Sequence, residues 1–395
     1  MNAIPRFLQI HTLHNYTGAL LNRDDSGWAK RLPYGDAVRT RISSQCLKRH
    51  WRMHEGLLSL RSIDALPHSL RSREFVKQRM RAPLNNEFKG EREQAILNAV
   101  EDAFQKAIYG EKGTTKTSRQ PLLLGVPEVE YLTDNFAKIA RAALAEGEDA
   151  KGASKRAEAW CKDIKKNLAT LRENTTAPAG LAGALFGRMV TSDPAANIDA
   201  PIYVAHAFTT HAAQDECDYF TVVDDLMADD DTGAGHINET ELTSGLFYGY
   251  VVVDVRGLIA NLTGKKPTEQ AELAPEDREL AGEVVRRLIH SIAEVSPGAK
   301  LGSTAPFGYA STVMVEAGDR QPRSLAGAFR RATQPDFKAA EKALAAELQK
   351  FDENYATGEK RRFMNLNKET QFNNAERASM PAVADWAKSL VVGHG

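Results

Sequence analysis

The strongest chemical pattern in the sequence is a basic stretch, VRTRISSQCLKRHWR, at residues 38–52, with five Lys or Arg and no Asp or Glu. Ser43 stands where an amphipathic helix is predicted to begin, and a serine there can cap free backbone N–H groups. These amides and the helix dipole favour an anion, and Lys48, Arg49 and Arg52 add positive charge on the first turns. The pattern suits a phosphate backbone, although a basic helix face that is only solvated has the same composition.

The residues directly before this helix alternate as a half-exposed strand does. Val38, Thr40 and Ile42 fall on one face, and Arg39 and Arg41 fall on the other. We therefore expect both arginines on the face away from the apolar side chains, where Arg41 adds to the phosphate-binding surface.

Paired acids and histidines are the residues that could support catalysis or bind a metal. Asp24-Asp25 and Asp224-Asp225 could hold Mg²⁺ in a nuclease, but neither pair has a second acidic cluster placed by a helix motif. His206 and His211 fall on opposite faces of a predicted strand, so we do not expect them to share a metal. The sequence also lacks a P-loop, HExxH, GxSxG and a zinc quartet. We predict no catalytic residue, no metal and no cofactor, and the alternative function is a metal-dependent nuclease acting on RNA or DNA.

Residues 212–241 differ sharply from the rest of the chain, since they contain ten Asp or Glu and no Lys or Arg. The segment predicts a protruding acidic hairpin or loop. Residues 230–241 also match half of an EF-hand loop, but Thr232 and Ala234 remove two of its ligands. A calcium-binding or purely structural module is therefore a further alternative.

Composition limits the size and the compartment. The 395 residues are 42% hydrophobic, enough for one large or two modest domains. The formal net charge is −1, so it is the segregation of charge, and not its sum, that indicates nucleic-acid binding. Three distant cysteines, Cys46, Cys161 and Cys217, form no CxxC pair and are expected to stay reduced. We find no signal-peptide pattern and no apolar run long enough for a membrane, so we expect a cytoplasmic protein without a membrane partner.

Hydrophobic periodicity predicts an α+β fold in which strands alternate with helices. Strands are predicted near residues 7–13, 38–42, 188–210, 246–255 and 303–315. Helices are predicted at residues 43–58, 91–108, 128–145, 154–171, 274–293, 324–332, 336–351 and 380–390, with residues 361–362 in a polar loop. No strand pattern interrupts residues 72–172, so this block is predicted to be a helical insertion, with a polar break at residues 111–120.

The end of this insertion is basic. Residues 151–172 contain seven Lys or Arg and two acids. As one helix, the segment places Lys155, Lys162 and Lys166 near one face. This face is either solvated or a stripe directed at DNA, because sequence-independent binding requires only positive charge along the backbone.

Several motifs occur in an order that identifies a family. They are LNRDD (21–25), RISSQCLKR (41–49), GRM (187–189), AHAFTTH (205–211), DYFTVVDDL (218–226), SGLFY (244–248) and PGAK (297–300). In this order they resemble the backbone subunit of the type I-E CRISPR surveillance complex, Cascade. Each motif is short, but together they cover most of the chain.

The resemblance implies a hand-shaped chain. Its α+β palm would be a modified ferredoxin-like, or RNA-recognition-motif-like, sheet with a large helical insertion, the fingers, and an acidic hairpin, the thumb. The palm would comprise residues 1–58, 181–211 and 246–395, the fingers residues 59–180, and the thumb residues 212–245.

The resemblance also implies a scaffold that binds CRISPR RNA and is not an enzyme. Several copies would line up head-to-tail along the guide, with target DNA and other Cascade subunits as further partners, and base pairing would supply sequence specificity. The RNA phosphates would be held by Arg23, Arg41, Ser43, Gln45, Lys48 and Arg49. Arg188, Met189 and Phe220 match positions that kink the RNA and splay a base, although Phe220 could instead be an inward-facing strand residue.

Overall fold

The computed structural model describes residues 4–110, 120–173, 175, 177–190, 193–221, 237–264 and 274–394. The chain forms two compact units. The first comprises residues 1–63, 202–255 and 274–395, and the second comprises residues 64–201 and 256–273. The chain changes unit after residues 63 and 201 and returns to the second unit at residue 256. The palm, fingers and thumb bounds implied by the resemblance stay a prediction.

The strands and helices follow in chain order. The strands are β1 (Phe7–Ala19), β2 (Arg31–Tyr34), β3 (Ala37–Ile42), β4 (Ser69–Ser72), β5 (Leu122–Gly125), β6 (Ile202–Val204), β7 (Ala207–Thr209), β8 (Asp215–Thr221), β9 (Ile237–Asp254), β10 (Ala310–Gly318), β11 (Lys360–Asn365) and β12 (Ala375–Arg377). The helices are α1 (Ser44–Met53), α2 (Glu91–Tyr109), α3 (Val126–Ala145), α4 (Ala150–Cys161), α5 (Ile164–Glu173), α6 (Gly180–Phe186), α7 (Val255–Thr263), α8 (Pro275–Glu294), α9 (Leu301–Thr304), α10 (Phe337–Tyr355) and α11 (Met380–Val392).

The first unit is built on one large sheet. Its strand order is β12-β11-β10-β1-β9-β7-β3-β2, and β6 and β8 also pair with β9. All of these pairs are antiparallel except β11 with β12. The predicted α+β class is therefore confirmed, and β1 and β9 form its centre.

Both faces of the central strands are covered. Residues 7–13 of β1 are all buried, so this strand does not show the polar side of a half-exposed strand. On one face Leu13, Tyr248 and Met314 pack with Leu344 of α10. On the other face Tyr16, Phe247 and Ile42 pack with Leu47 of α1 and their neighbours. Helix α1 therefore lies on the side of the sheet opposite α10.

Arg39 corrects the prediction for β3. Its side chain is fully buried, whereas Val38 is half exposed. The Arg39 guanidinium donates to the carbonyl oxygens of Thr210 at 2.7 Å and Phe329 at 2.9 Å, and a weaker bond goes to Thr209. Because a guanidinium offers five donors in a fixed fork, it can satisfy several backbone acceptors at once. Thr40 and Ile42 are buried as predicted, so the alternation of apolar and basic residues was wrong only at Val38 and Arg39.

The strand predicted over residues 202–210 is interrupted. Ile202 of β6 pairs with Val253, but Phe208 of β7 pairs with Tyr248, so the register shifts by one residue between the two short strands. The one extra residue lies within residues 205–206 and forms a β-bulge, and a bulge changes the direction of nearby side chains. The bulge turns His206 toward Arg41, at 3.0 Å.

The second unit is mostly helical, as predicted, with two corrections. Residues of α2, α3, α4 and α5 share one apolar core, in which Phe104 packs against Phe136 and Trp160. However, β5 lies inside the block predicted to lack strands, and it pairs with β4 at the start of that block. The helix predicted over residues 154–171 is also broken at residues 162–163, where the Asp163 carbonyl accepts the first hydrogen bond of α5.

Three smaller predictions near the C-terminal half and the GRM motif are also corrected. Residues 361–362 lie in β11 and not in a loop, because Glu316 and Asp352 neutralise the buried Arg361 side chain. Residues 324–332 form only a 3₁₀ turn at Ala326–Phe329. Among the described residues 188–190 and 193–201, the predicted strand is replaced by a single β-bridge between Arg188 and Ile198. The polar break predicted at residues 111–120 is not tested, because residues 111–119 lie outside the described residues.

We predict that Arg39→Met lowers the free energy of unfolding by about 3 kcal/mol, because three backbone carbonyls lose a buried donor. Urea unfolding monitored by circular dichroism measures the change. Arg331→Met, which removes an exposed arginine, is the matched control and should stay within about 0.5 kcal/mol of the unchanged protein. Equal midpoints for both variants would contradict the structural role of Arg39.

We also predict a pH dependence of stability from His14. Removal from water lowers the pKa of His14 from 6.5 to about 4, against weaker opposing hydrogen bonds with the backbone of Ile292 and Ala293. The unfolded chain therefore binds a proton that the folded chain excludes, so stability falls as the pH drops from 6.5 toward 4. The loss should be about 2–3 kcal/mol, and unfolding of His14→Gln should show a correspondingly smaller slope with pH. An identical slope in both proteins would exclude His14 as its source.

Candidate nucleic-acid interface

The LNRDD and RISSQCLKR motifs lie side by side in the first unit. The Asn22 side-chain oxygen accepts a hydrogen bond from the backbone N–H of Ser43 at 2.9 Å. The Asn22 carbonyl accepts from Lys30, and the Lys30 carbonyl accepts from the N–H of Arg41 at 2.7 Å. The loop after β1 is therefore tied to the end of β3 and to the start of α1, which brings Arg23 toward the basic helix.

Helix α1 begins as predicted. Ser43 has an extended backbone, and its hydroxyl accepts from the Cys46 N–H at 3.3 Å, while its carbonyl accepts from Leu47. The N–H groups of Ser44 and Gln45 have no acceptor within the described part of the chain. The predicted cap is confirmed, and two amides at the positive end of the helix dipole stay available for an anion.

The cations around this helix end are exposed or half-buried. Arg23 and Arg49 are exposed, and Lys48 is half-buried, which lowers its pKa. Arg41 donates to the Arg31 carbonyl and bonds His206. The pKa of His206 is lowered by removal from water and then by nearby cations. His206 therefore stays neutral beside Arg41. The positive charge of the surface around the start of α1 comes from its arginines and lysines and not from this histidine.

Two lysines belong to this surface although the sequence analysis did not assign them. Lys30 is linked to Arg41 by the backbone bond described above, a proximity created by the hairpin of β2 and β3. Lys300, in the PGAK motif, donates from its Nζ to the Thr240 hydroxyl at 3.2 Å. The N–H of Ala299 also donates to the Leu20 carbonyl. The PGAK motif was itself the available signal for Lys300, whereas no local pattern pointed to Lys30.

The inner face of α1 anchors the helix. Trp51 is buried, and Cys46 and Leu47 pack against the sheet. Burial raises the pKa of the Cys46 thiol to about 11, so it stays protonated and does not act as a nucleophile at neutral pH. The Nε2 atom of His50 accepts from the Gly298 N–H or donates to the Gly298 carbonyl. This bond fixes the loop that contains the PGAK motif, residues 295–309 and called the PGAK loop below, against the helix.

The acidic segment begins and ends as an antiparallel hairpin. Strand β8 pairs with the first part of β9, from Asp215 opposite Thr243 to Thr221 opposite Ile237. Phe220 lies in β8 opposite Asn238, and residues 222–236 lie outside the described residues, as does the side chain of Phe220. The two interpretations of Phe220 therefore remain predictions.

Acidic residues considered as metal ligands have other partners. Glu241, the last position of the half-matching EF-hand loop, is buried and accepts from the Ala29 N–H and from Arg31. Asp24 accepts from the N–H groups of Ser26 and Trp28, which closes a turn. The described residues include no group of three or more His, Cys, Asp or Glu placed to hold a metal ion. No helix in the described ranges is long and apolar enough to cross a bilayer.

Arg188 and Met189 belong to the second unit and differ in exposure. The Arg188 side chain is buried, pairs with Glu128 and donates to the Ala196 carbonyl at 2.9 Å. Glu128 also accepts from Arg172. Gly187 has φ +75°, and a Cβ there would lie 2.7 Å from the Ile198 carbonyl oxygen. The buried arginine therefore fixes a tight turn that leaves Met189 78% exposed, and the predicted RNA contact of Arg188 has no support from its side-chain position.

The basic segment at residues 151–172, in the second unit, contains both paired and exposed cations. Arg156 pairs with Glu148 and Glu146, which raises its pKa, and Arg172 pairs with Glu128 and Asp193. The five lysines are exposed: Lys151, Lys155, Lys162, Lys165 and Lys166. The break between α4 and α5 places them on two helices and not on the one helix predicted from the sequence.

The structure thus brings together six of the nine predicted site residues. Arg23, Arg41, Ser43, Gln45, Lys48 and Arg49 lie on or beside the start of α1 in the first unit. Arg188 and Met189 lie in the second unit, and Phe220 lies in the hairpin.

We predict that Asn22→Ala loosens this arrangement. The Ser43 N–H would lose its acceptor, and the free energy of unfolding should fall by about 1 kcal/mol. Amide hydrogen exchange at Ser43 should become faster, whereas exchange in β1 and β9 should not change. Asn86→Ala, at an exposed asparagine of the second unit, is the control, and unchanged exchange at Ser43 in Asn22→Ala would contradict the link.

Comparison with known proteins identifies the family. The model of the CT1975-like protein family (Cas_CT1975) matches residues 8–390. A search of curated proteins found no match. A solved chain titled "CRISPR RNA-guided surveillance complex, pre-nicking" shares the fold with a TM-score of 0.75 and 23% identity, over 98% of this chain and 100% of that chain. A second, from a "CRISPR RNA-guided surveillance complex", has a TM-score of 0.57 and 21% identity, over 97% and 98%.

The family match agrees with the resemblance inferred from the motifs, except that the type I-E assignment stays a prediction. The structural matches confirm the α+β, RNA-recognition-motif-like class of the palm. The structural likeness extends over nearly the whole chain, so the helical unit and the hairpin are included in it. The family match likewise spans all seven motifs, from LNRDD to PGAK. The chain belongs to the CT1975-like protein family.

Proposed function

We propose that this protein is the CRISPR RNA-binding backbone subunit of a type I-E Cascade complex in the cytoplasm. The observation that carries the proposal is the link from Asn22 to Ser43, which joins two basic motifs at the positive end of α1. The family match and the titles of the solved structures support the same role. The protein acts in this proposal as a scaffold and not as an enzyme.

The RNA backbone binds along the surface formed by the loop after β1, the end of β3 and the start of α1. Arg23 and Arg49 are exposed for ionic contacts with phosphates, and the N–H groups of Ser44 and Gln45 can bond a phosphate oxygen. These groups recognise charge and geometry but not base edges. Binding is therefore independent of sequence, and the bases stay available for pairing with target DNA.

Several copies assemble head-to-tail on one RNA. A heterologous interface repeats without closing, so its length follows the length of the RNA. The hairpin of β8 and β9 is the thumb in this proposal, and it reaches the neighbouring copy. Phe220 of one copy meets Met189 of its neighbour, and together they separate a base from the stack, at a cost of a few kcal/mol by analogy with wedges in DNA.

Target DNA lies along the exposed lysines of α4 and α5. Their charge is not neutralised by the acids that pair with Arg156 and Arg172. Such lysines contribute affinity without sequence preference and with a strong dependence on salt. The other Cascade subunits complete the complex and supply functions that this chain lacks.

We predict that replacing Lys48 and Arg49 with alanine weakens binding of single-stranded RNA for all sequences alike. The plot of log affinity against log salt concentration should lose roughly 0.7 of its slope for each phosphate contact removed. Fluorescence anisotropy with two unrelated RNAs at several salt concentrations measures both quantities.

The matched control replaces Lys342 and Lys350 of α10 with alanine, which removes the same charge from the opposite face of the sheet. This variant should bind RNA nearly as well as the unchanged protein. If both double variants lose the same affinity and slope, the helix surface has no special role and the binding reflects net charge alone.

A further inference from the structure

The PGAK loop exposes an unusual group of apolar side chains beside the basic surface. Leu301, Phe307 and Tyr309 are 51%, 75% and 71% exposed and lie within nine residues. Large apolar side chains that cluster on a surface usually have a partner. The proposed phosphate contacts do not use them.

Two aromatic side chains flank Gly308 in the segment before β10. Pro306 and Ala310 are buried, whereas Phe307 and Tyr309 are exposed, and Gly308 lies between them. Both aromatic side chains are therefore on the solvent side of the segment that leads into β10.

The loop is held in a fixed conformation. The Ser296 hydroxyl donates to the Gly308 carbonyl and accepts from the Gly308 N–H, so it closes the loop at its neck. Lys300 and Ala305 both have left-handed backbones, with φ of 50° and 38°. Such conformations cost energy for residues other than glycine and persist only where surrounding contacts impose them. A fixed loop can present two rings without a large entropic cost on binding.

The position and the charge of the loop favour RNA as its partner. Residues 295–309 contain no Asp or Glu. The loop bonds to Leu20, to His50 of α1 and, through Lys300, to Thr240 of β9. It is therefore continuous with the surface that carries Arg49. Two exposed rings cover far less than the roughly 800 Å² per partner of a stable protein interface, but their size matches one or two bases.

We propose that Phe307 and Tyr309 form a stacking platform for bases of a single-stranded RNA whose phosphates lie on α1. This inference rests on the proposed RNA-binding function and adds an apolar contact that the phosphate surface does not provide. Aromatic side chains stack on any base, so the platform adds affinity without sequence preference. Leu301 packs at the edge of the bound base.

The test compares two RNAs of equal length and two sites of substitution. The full chain is titrated with fluorescein-labelled oligoadenylate and with the same backbone carrying abasic sites. Replacing Phe307 and Tyr309 with alanine should weaken binding of oligoadenylate about 10- to 100-fold. This double variant should bind the abasic RNA as tightly as the unchanged protein does. The slope of its log affinity against log salt concentration should also be unchanged, because no phosphate contact is lost.

Two further variants make the result specific to the rings. Tyr309→Phe keeps the ring and should bind oligoadenylate as tightly as the unchanged protein. Tyr355→Ala removes a tyrosine that is 64% exposed at the end of α10, and it should also leave binding unchanged. Thermal unfolding should be the same for all variants, since the substituted rings are exposed.

The outcomes separate this inference from the proposed function. If the Lys48 and Arg49 variant loses RNA affinity but the Phe307 and Tyr309 variant does not, the platform is rejected and the phosphate surface stands. If the unchanged protein binds neither RNA, both fail. If the aromatic variant keeps its RNA affinity but no longer assembles in several copies on long RNA, the rings contact a second copy and the platform is overturned.

Discussion

The antiparallel pairing of β1 with β9 is the constraint on which the first unit depends. β1 lies between β9 and β10, and both of its faces are covered, so its register cannot slip without exposing the core. β9 is longer than its partner and continues past it to pair with β8. The same strand therefore forms the centre of the palm and one side of the hairpin.

The proposed phosphate surface and the PGAK loop meet at one end of β1. The loop that follows this strand is bonded to the start of α1 through Asn22, and Leu20 accepts from Ala299 of the PGAK loop. Gly308 approaches the strand so closely that a Cβ would lie 2.9 Å from the Asn15 carbonyl oxygen. Segments far apart in sequence are therefore joined there by hydrogen bonds in which at least one partner is a backbone group.

The cations of this protein serve two opposite purposes. Arg39, Arg188 and Arg361 are buried, where they satisfy carbonyl or carboxylate oxygens. Arg23 and Arg49 are exposed at the end of a helix. Because a buried guanidinium must be bonded on several sides, it is not available to a ligand. In this chain of net charge −1, the basic surface therefore depends on the exposed cations and not on the buried ones.

The sequence by itself determined the family, the α+β class, the capped start of α1 and most helices. These features depend on local spacing, on a serine before an amphipathic run and on motifs that keep their order. The prediction that Arg39 faces solvent was wrong, because alternation cannot distinguish a solvated arginine from one bonded to the distant Thr210 and Phe329. Arg361 can lie in a strand and Arg188 can be buried because each pairs with a carboxylate that is distant in the sequence, and the sequence alone does not show such a pair. The position of Lys30 and the exposed rings of the PGAK loop likewise followed only from how the chain folds back on β1.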